Sequence, residues 1–171
     1  IRNLKYHYEY REVFNQFYES LKEENVDCII LCGDIAHTKT QISPEFVKMS
    51  SDLFRNLANI APTYIILGNH DGNLRNSSRQ DALTPIVEAL GHPRLTLIRD
   101  SKEVVVGHSR GLPVKINVFS IFDKQNWLSP TDPEAVNIAL YHGALAGSKT
   151  DVGWVISHND DPLECFEGHD Y

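Results

Sequence analysis

Apolar residues first recur with a helical period. Val13, Phe14, Phe17 and Leu21 share one side of a segment from about Tyr8 to Glu24, with Glu and other polar residues between them, and predict an amphipathic helix. Lys22-Glu23-Glu24 reads as its solvated end. The pattern then changes to Cys28-Ile29-Ile30-Leu31-Cys32, a short continuous apolar run closed by Gly33. Such a run suits a strand covered on both faces. Ser43-Pro44 opens a second helix, with Ser as N-cap and Pro at the first helical position. Phe46, Val47, Leu53, Phe54 and Leu57 supply its apolar stripe, and Pro62 breaks it. Thr63 to Leu67 is the next strand, ended by Gly68. Thr84-Pro85 caps a third, short helix that runs to Leu90 and stops at Gly91-His92-Pro93.

From there the chain turns strand-rich. Leu95 to Ile98, Val104 to Val106, Val114 to Phe119 and Val136 to Tyr141 are short β-type runs separated by turns. After Gly143 the pattern is irregular, with Gly147, Gly153 and Asn159-Asp160-Asp161-Pro162. Strand–helix alternation in the first half favours parallel crossovers. The strand-rich second half favours a mixed or second sheet, so the class is α/β. No internal repeat or linker divides residues 1–171, which read as a single domain.

Composition narrows the class. A chain of 171 residues lies in the usual range of about 100–200 for one domain. With 42% hydrophobic and 23% charged residues it has the make-up of an ordinary globular protein, not of a disordered tail or a disulfide scaffold. No apolar run approaches the ~20 residues of a membrane span. The net charge of −7 argues against binding a polyanion by charge neutralisation alone. Any contact with nucleic acid therefore needs metals, local patches or a partner. Three cysteines, Cys28, Cys32 and Cys165, suit a reducing compartment, and the first two read as small buried hydrophobes.

The candidate chemistry follows the apolar strands. The first leads into Gly33-Asp34-Ile35-Ala36-His37, the second into Gly68-Asn69-His70-Asp71-Gly72, and the last into His142-Gly143. In α/β sheets, ligands collect beyond the carboxyl ends of strands. Oxygen and imidazole donors converging there suit Mn²⁺, Fe or Zn²⁺. A lone Gly-Asp or His-Gly is usually a turn. Three such blocks, each directly after an apolar run, favour a site.

Gly33-Asp34, Gly68-Asn69-His70-Asp71 and His142-Gly143 resemble, in order, the middle blocks of the calcineurin-like metallophosphoesterases. The pattern of that family is Asp-x-His, Gly-Asp, Gly-Asn-His-Asp/Glu, His, Gly-His-x-His. The resemblance covers essentially the whole chain. His37, three residues after Asp34, and the stretch Ser77-Ser78-Arg79 to Leu90 resemble the DNA repair and recombination branch, of bacterial SbcD type and of the phage recombination endonuclease subunit. Neither outer block is present. Gly168-His169-Asp170-Tyr171 looks like the start of the strand that leads to the last block, and His169 is not expected to be a ligand. The chain, which opens on Ile1-Arg2-Asn3, reads as a piece truncated at both ends, inactive by itself.

The resemblance implies an α-β-β-α sandwich of mixed sheets. It implies two divalent metal ions, Mn²⁺ by preference, about 3.5–4 Å apart and activating a water for in-line attack on phosphorus. Asp34 would bridge the metals, and Asn69 and His142 would ligate one of them. His70 would act as general acid or stabilise charge on the phosphoryl group, Asp71 would orient and charge-tune His70, and His37 would assist at the phosphate or behind the metal ligands. A helix-start surface histidine is the competing reading of His37. Arg75 and Arg79 would meet DNA phosphates or be solvated loop residues. His7, His92, His108, His158 and His169 are expected on the surface or in loops. The implied activity is a DNA exonuclease/endonuclease of double-strand-break processing, partnered by an SMC-like ATPase of SbcC type and acting as a homodimer. The implied location is the bacterial cytoplasm or a phage- or virus-infected host cell. A phosphomonoesterase or cyclic-nucleotide phosphodiesterase of the same superfamily, and a non-catalytic scaffold, are the competing functions.

Overall fold

The computed structural model describes residues 4–37, 42–76, 78–156 and 161–171. Ser77, His158, Asn159, Asp160 and the Ile1-Arg2-Asn3 opening lie outside the described residues.

The first helix, α1, spans Leu4–Glu23. Its inward face differs from the expected stripe. Tyr18 and His7 are buried and Phe14 and Leu21 pack against the core, whereas Val13 is 58% and Phe17 41% exposed. Helical spacing allowed two neighbouring stripes, and the one carrying Tyr18 docks. His7 is accordingly not a surface residue.

Strand β1, Ile29–Leu31, follows, then helix α2, Pro44–Ile60. The Ser43 hydroxyl accepts from the Phe46 amide at 3.1 Å, the expected N-cap. Ser50, Leu53, Phe54, Leu57 and Ala58 form the buried face, and Val47 is left exposed. Strand β2 is Thr63–Ile66, helix α3 is Thr84–Leu90 and strand β3 is Leu95–Ile98. Thr84 does not cap α3 but is its first helical residue. The cap acceptor is Asp81, whose Oδ1 accepts from the amides of Leu83 and Thr84 while Oδ2 accepts from the Thr84 hydroxyl. Oδ2 also lies 3.0 Å from Nε of Arg99.

Strands β1, β2 and β3 form one all-parallel sheet in that order. Its two faces separate cleanly with period two. Ile29, Ile65, Leu67 and Leu95 pack with the helices, while Ile30, Tyr64, Ile66 and Ile98 turn to the other side. The apolar run therefore does mark a strand covered on both faces. Its flanking cysteines are not buried hydrophobes, because Cys32 is exposed and Cys28 half-buried. The run had room for both residues, but the strand ends one residue inside each.

The second sheet contains β4 (Lys102–Ser109), β5 (Leu112–Phe119) and β6 (Val136–Tyr141). β4 and β5 are antiparallel, joined through Arg110 and Gly111, both at positive φ, and β5 and β6 are parallel. Val104, Val106, Ile116, Val118, Ile138 and Leu140 face the first sheet and close a second apolar cluster between the sheets. On the outer face, Phe119 packs edge-on against Trp127, Phe166 and His169. His169 is half-buried there, in a loop, with Nδ1 2.9 Å from the Phe166 carbonyl oxygen. His108 is exposed on β4. Tyr171 donates to the Asn137 carbonyl, and its own carbonyl accepts from the Ala139 amide at 2.7 Å. These two bonds have the pattern of parallel pairing with β6.

No helix among the described residues is long and apolar enough to cross a membrane.

Candidate active site

Two strand ends of the first sheet and one of the second meet at a single place. Asp34 follows β1, Asn69 and His70 follow β2, and His142 follows β6. Two glycines make the meeting possible. Gly33 has φ +87°, and a Cβ there would lie 2.6 Å from the Gly68 amide nitrogen and 2.8 Å from Nδ1 of His142. A Cβ on Gly68 would lie 2.2 Å from Oδ1 of Asp34. Only hydrogen at these positions lets the two loops touch.

Asp34 itself sits at φ +56°. A non-glycine residue in that region costs about 1–3 kcal/mol and persists only where its surroundings hold it. What holds it is Asp71, which is 0% exposed. Oδ2 of Asp71 accepts from the amides of Asp34 and Gly68, and Oδ1 accepts from the amide of Ala36, all at 2.8 Å. Burial pushes the Asp71 carboxyl above its ordinary value against the pull of the three amides, and the Asp34 carboxylate adds to the rise.

This corrects the role expected of Asp71. It does not orient His70. Nδ1 of His70 lies instead 2.9 Å from the carbonyl oxygen of His37, and the two imidazole rings lie parallel, 6.0 Å apart. A wholly buried carboxylate bonded to three amides reaches no substrate, so Asp71 is not a catalytic residue. His70 and His37 are both exposed at the mouth of the cluster.

The donor atoms converge on His142. Its Nε2 lies 3.2 Å from Oδ1 of Asn69 and 3.3 Å from Oδ2 of Asp34. Its Nδ1 lies 2.6 Å from the carbonyl oxygen of Cys32. A carbonyl only accepts, so Nδ1 carries a proton, and in the neutral tautomer, the one that binds a metal, Nε2 presents its lone pair. Three acceptor atoms then face one another, an arrangement that a cation relieves. The mixed oxygen and imidazole set fits a divalent metal of the Mn²⁺, Fe or Zn²⁺ kind. Only two of the three donors are drawn from His, Cys, Asp and Glu. No group of three or more such side chains poised for a metal occurs among the described residues. The other Asp34 oxygen, Oδ1, accepts from the His70 amide at 2.9 Å.

The structure thus brings together Asp34, Asn69, His70, His142 and His37. Arg75 and Arg79 are exposed on the following loop, and no side-chain bond ties them to the cluster. Arg79 lines a cavity of about 280 Å³ with Gly72, Arg99 and Phe122. Sequence reasoning missed the carbonyl of Cys32, which sets the His142 tautomer. A backbone group leaves no signal in residue type.

The family model described as calcineurin-like phosphoesterase matches residues 5–169. Over 185 aligned residues the chain is 38% identical to Uncharacterized protein R555 of Acanthamoeba polyphaga mimivirus, covering 100% of this chain and 13% of that protein. Over 178 it is 28% identical to DNA double-strand break repair protein Mre11 of Methanopyrus kandleri, covering 94% of this chain and 37% of that one. The chain therefore spans well under half the length of either relative. Members of the matched family generally bind two divalent metal ions and hydrolyse phosphoesters, and the two-sheet α/β architecture is consistent with theirs. With the match running through every strand that delivers a donor to His142, this chain belongs to the calcineurin-like phosphoesterases.

Proposed function

We propose that the chain, residues 1–171 as one domain, is the phosphoesterase domain of a Mn²⁺-dependent DNA exonuclease/endonuclease that processes double-strand breaks. The observation that carries the hydrolytic part is the convergence of Asp34 Oδ2 and Asn69 Oδ1 on the lone pair of His142 Nε2. The likeness to an archaeal Mre11 supports the choice of DNA.

Asp34, Asn69 and His142 are the proposed metal donors. When bound, the metal pair supplies an activated water and charge neutralisation at the phosphate. The remaining steps belong to the chain. His70 has its Nδ1 engaged by the His37 carbonyl, which leaves Nε2 as the nitrogen for the substrate. Protonated there, it hands the proton to the leaving oxygen as general acid. His37 steadies that ring through its carbonyl and its parallel imidazole. Arg75 and Arg79 receive flanking phosphates on the loop beyond His70. An acidic domain gripping a polyanion calls for help, so the proposed assembly is a homodimer with an SMC-like ATPase of SbcC type. Its proposed place is the cytoplasm of a bacterium or of an infected host cell.

The test, on the whole protein of which this chain is the phosphoesterase domain, compares linear double-stranded DNA with p-nitrophenyl phosphate, each with Mn²⁺ and with EDTA. Mn²⁺-dependent loss of DNA is the expected result. Hydrolysis of the monoester with DNA left intact would move the function to a phosphomonoesterase.

A further inference from the structure

Resting on the metal reading of the site, we infer that Asp71 is a positioning residue that builds the donor loop and sets metal affinity. Its carboxylate gathers the amides of Asp34, Ala36 and Gly68. Two of these belong to the Asp34 loop beyond β1 and one to the loop beyond β2. A single side chain therefore ties together two loops separated by more than thirty residues. The tie has a definite product. With its amide fixed at Oδ2 of Asp71, Asp34 is kept at φ +56°. In that conformation its own carboxylate points both to the His70 amide and to His142 Nε2.

Gly68 is the second half of the device. Its amide is the third donor to Asp71, and its missing Cβ leaves the space occupied by Oδ1 of Asp34. Orienting partners of metal ligands are typically worth 10–100-fold in affinity. An acceptor-only carboxylate suits the task because three donors can be matched at once. An amide must turn one N–H against a backbone N–H.

The experiment uses Asp71→Asn beside the wild type, both in the whole protein of which this chain is a domain. Mn²⁺ binding is followed by loss of the free-ion electron paramagnetic resonance signal, folding by far-ultraviolet circular dichroism, and DNA hydrolysis against Mn²⁺ concentration and pH. The expected result is a folded variant with Mn²⁺ affinity about 10–100-fold weaker. Its kcat should approach the wild-type value at saturating Mn²⁺, on an unshifted pH profile. Unchanged Mn²⁺ affinity with a displaced acid limb would overturn the inference, since Asp71 would then act on His70. Amide hydrogen exchange of the wild type gives an answer even where the variant fails to fold. The amides of Asp34, Ala36 and Gly68 should be strongly protected although they lie beyond strand ends, and rapid exchange would overturn the tie. A wild type that binds no Mn²⁺ would defeat the metal reading alone, and the exchange result would still judge the tie.

Discussion

His142 holds its Nδ1 2.6 Å from the carbonyl oxygen of Cys32, across the gap between the two sheets. In the neutral ring that contact leaves Nε2 as a lone pair between the oxygens of Asp34 and Asn69. The first prediction follows. His142→Ala and Asn69→Ala should each weaken Mn²⁺ binding by more than the 10–100-fold typical of an outer-shell change. Calorimetric titration checks this, and wild-type affinity in either variant would remove that residue from the donor set.

The His70 ring is engaged through Nδ1 with the His37 carbonyl, 2.9 Å away. His70→Ala should therefore keep Mn²⁺ affinity while DNA hydrolysis falls about 10²–10⁴-fold, the usual worth of general acid–base catalysis. Loss of metal to the same degree as in His142→Ala would make His70 a ligand instead.

The core makes a prediction about stability. Phe54 and Leu57 on α2 are 0% exposed, while Val13 on α1 lies open to solvent. Phe54→Ala should lower the unfolding free energy by about 3–5 kcal/mol. Val13→Ala should move it by less than about 0.5 kcal/mol, as a surface change does. Urea denaturation of the two variants checks the assignment of the inner face.

Acid should weaken the second sheet through Glu103. Burial alone would raise its pKa, but hydrogen bonds from Lys115 and from both the hydroxyl and the amide of Thr131, with the Lys115 charge, hold it below the ordinary value. A depressed folded-state pKa gives stability that is fully present above the unfolded value of 4.5 and is lost as pH falls through the lower folded value. The wild type should therefore exceed Glu103→Gln in urea midpoint near pH 7, and the gap should shrink as pH falls below 4.5. A gap independent of pH would show that Glu103 acts by packing alone.

Signals confined to a few neighbouring residues were legible. Ser43-Pro44 named the start of α2, and the apolar runs named β3 and β6 to the residue. The three strand ends carrying Asp34, Asn69 and His142 were visible because a strand hands its next residues to the sheet edge. What could not be read depended on partners distant in sequence. The cap of α3 comes from Asp81, whose geometry is fixed together with Arg99 beyond β3. Asp71 sits beside His70 in sequence, which suggested a carboxylate–imidazole pair. Folding turns it inward to amides 35 and 37 residues upstream. The docked face of α1 was ambiguous because both of its stripes satisfy the helical period.

The bond between Cys32 and His142 joins residues 110 positions apart. Contacts of that span form late, because the intervening loop entropy must first be overcome. A chain emerging from the ribosome carries Asp34 and Asn69 long before β6 exists, and through that interval the half-built donor set lacks its imidazole. On the proposed metal reading of the site, capture of an ion would therefore wait for the docking of one sheet on the other.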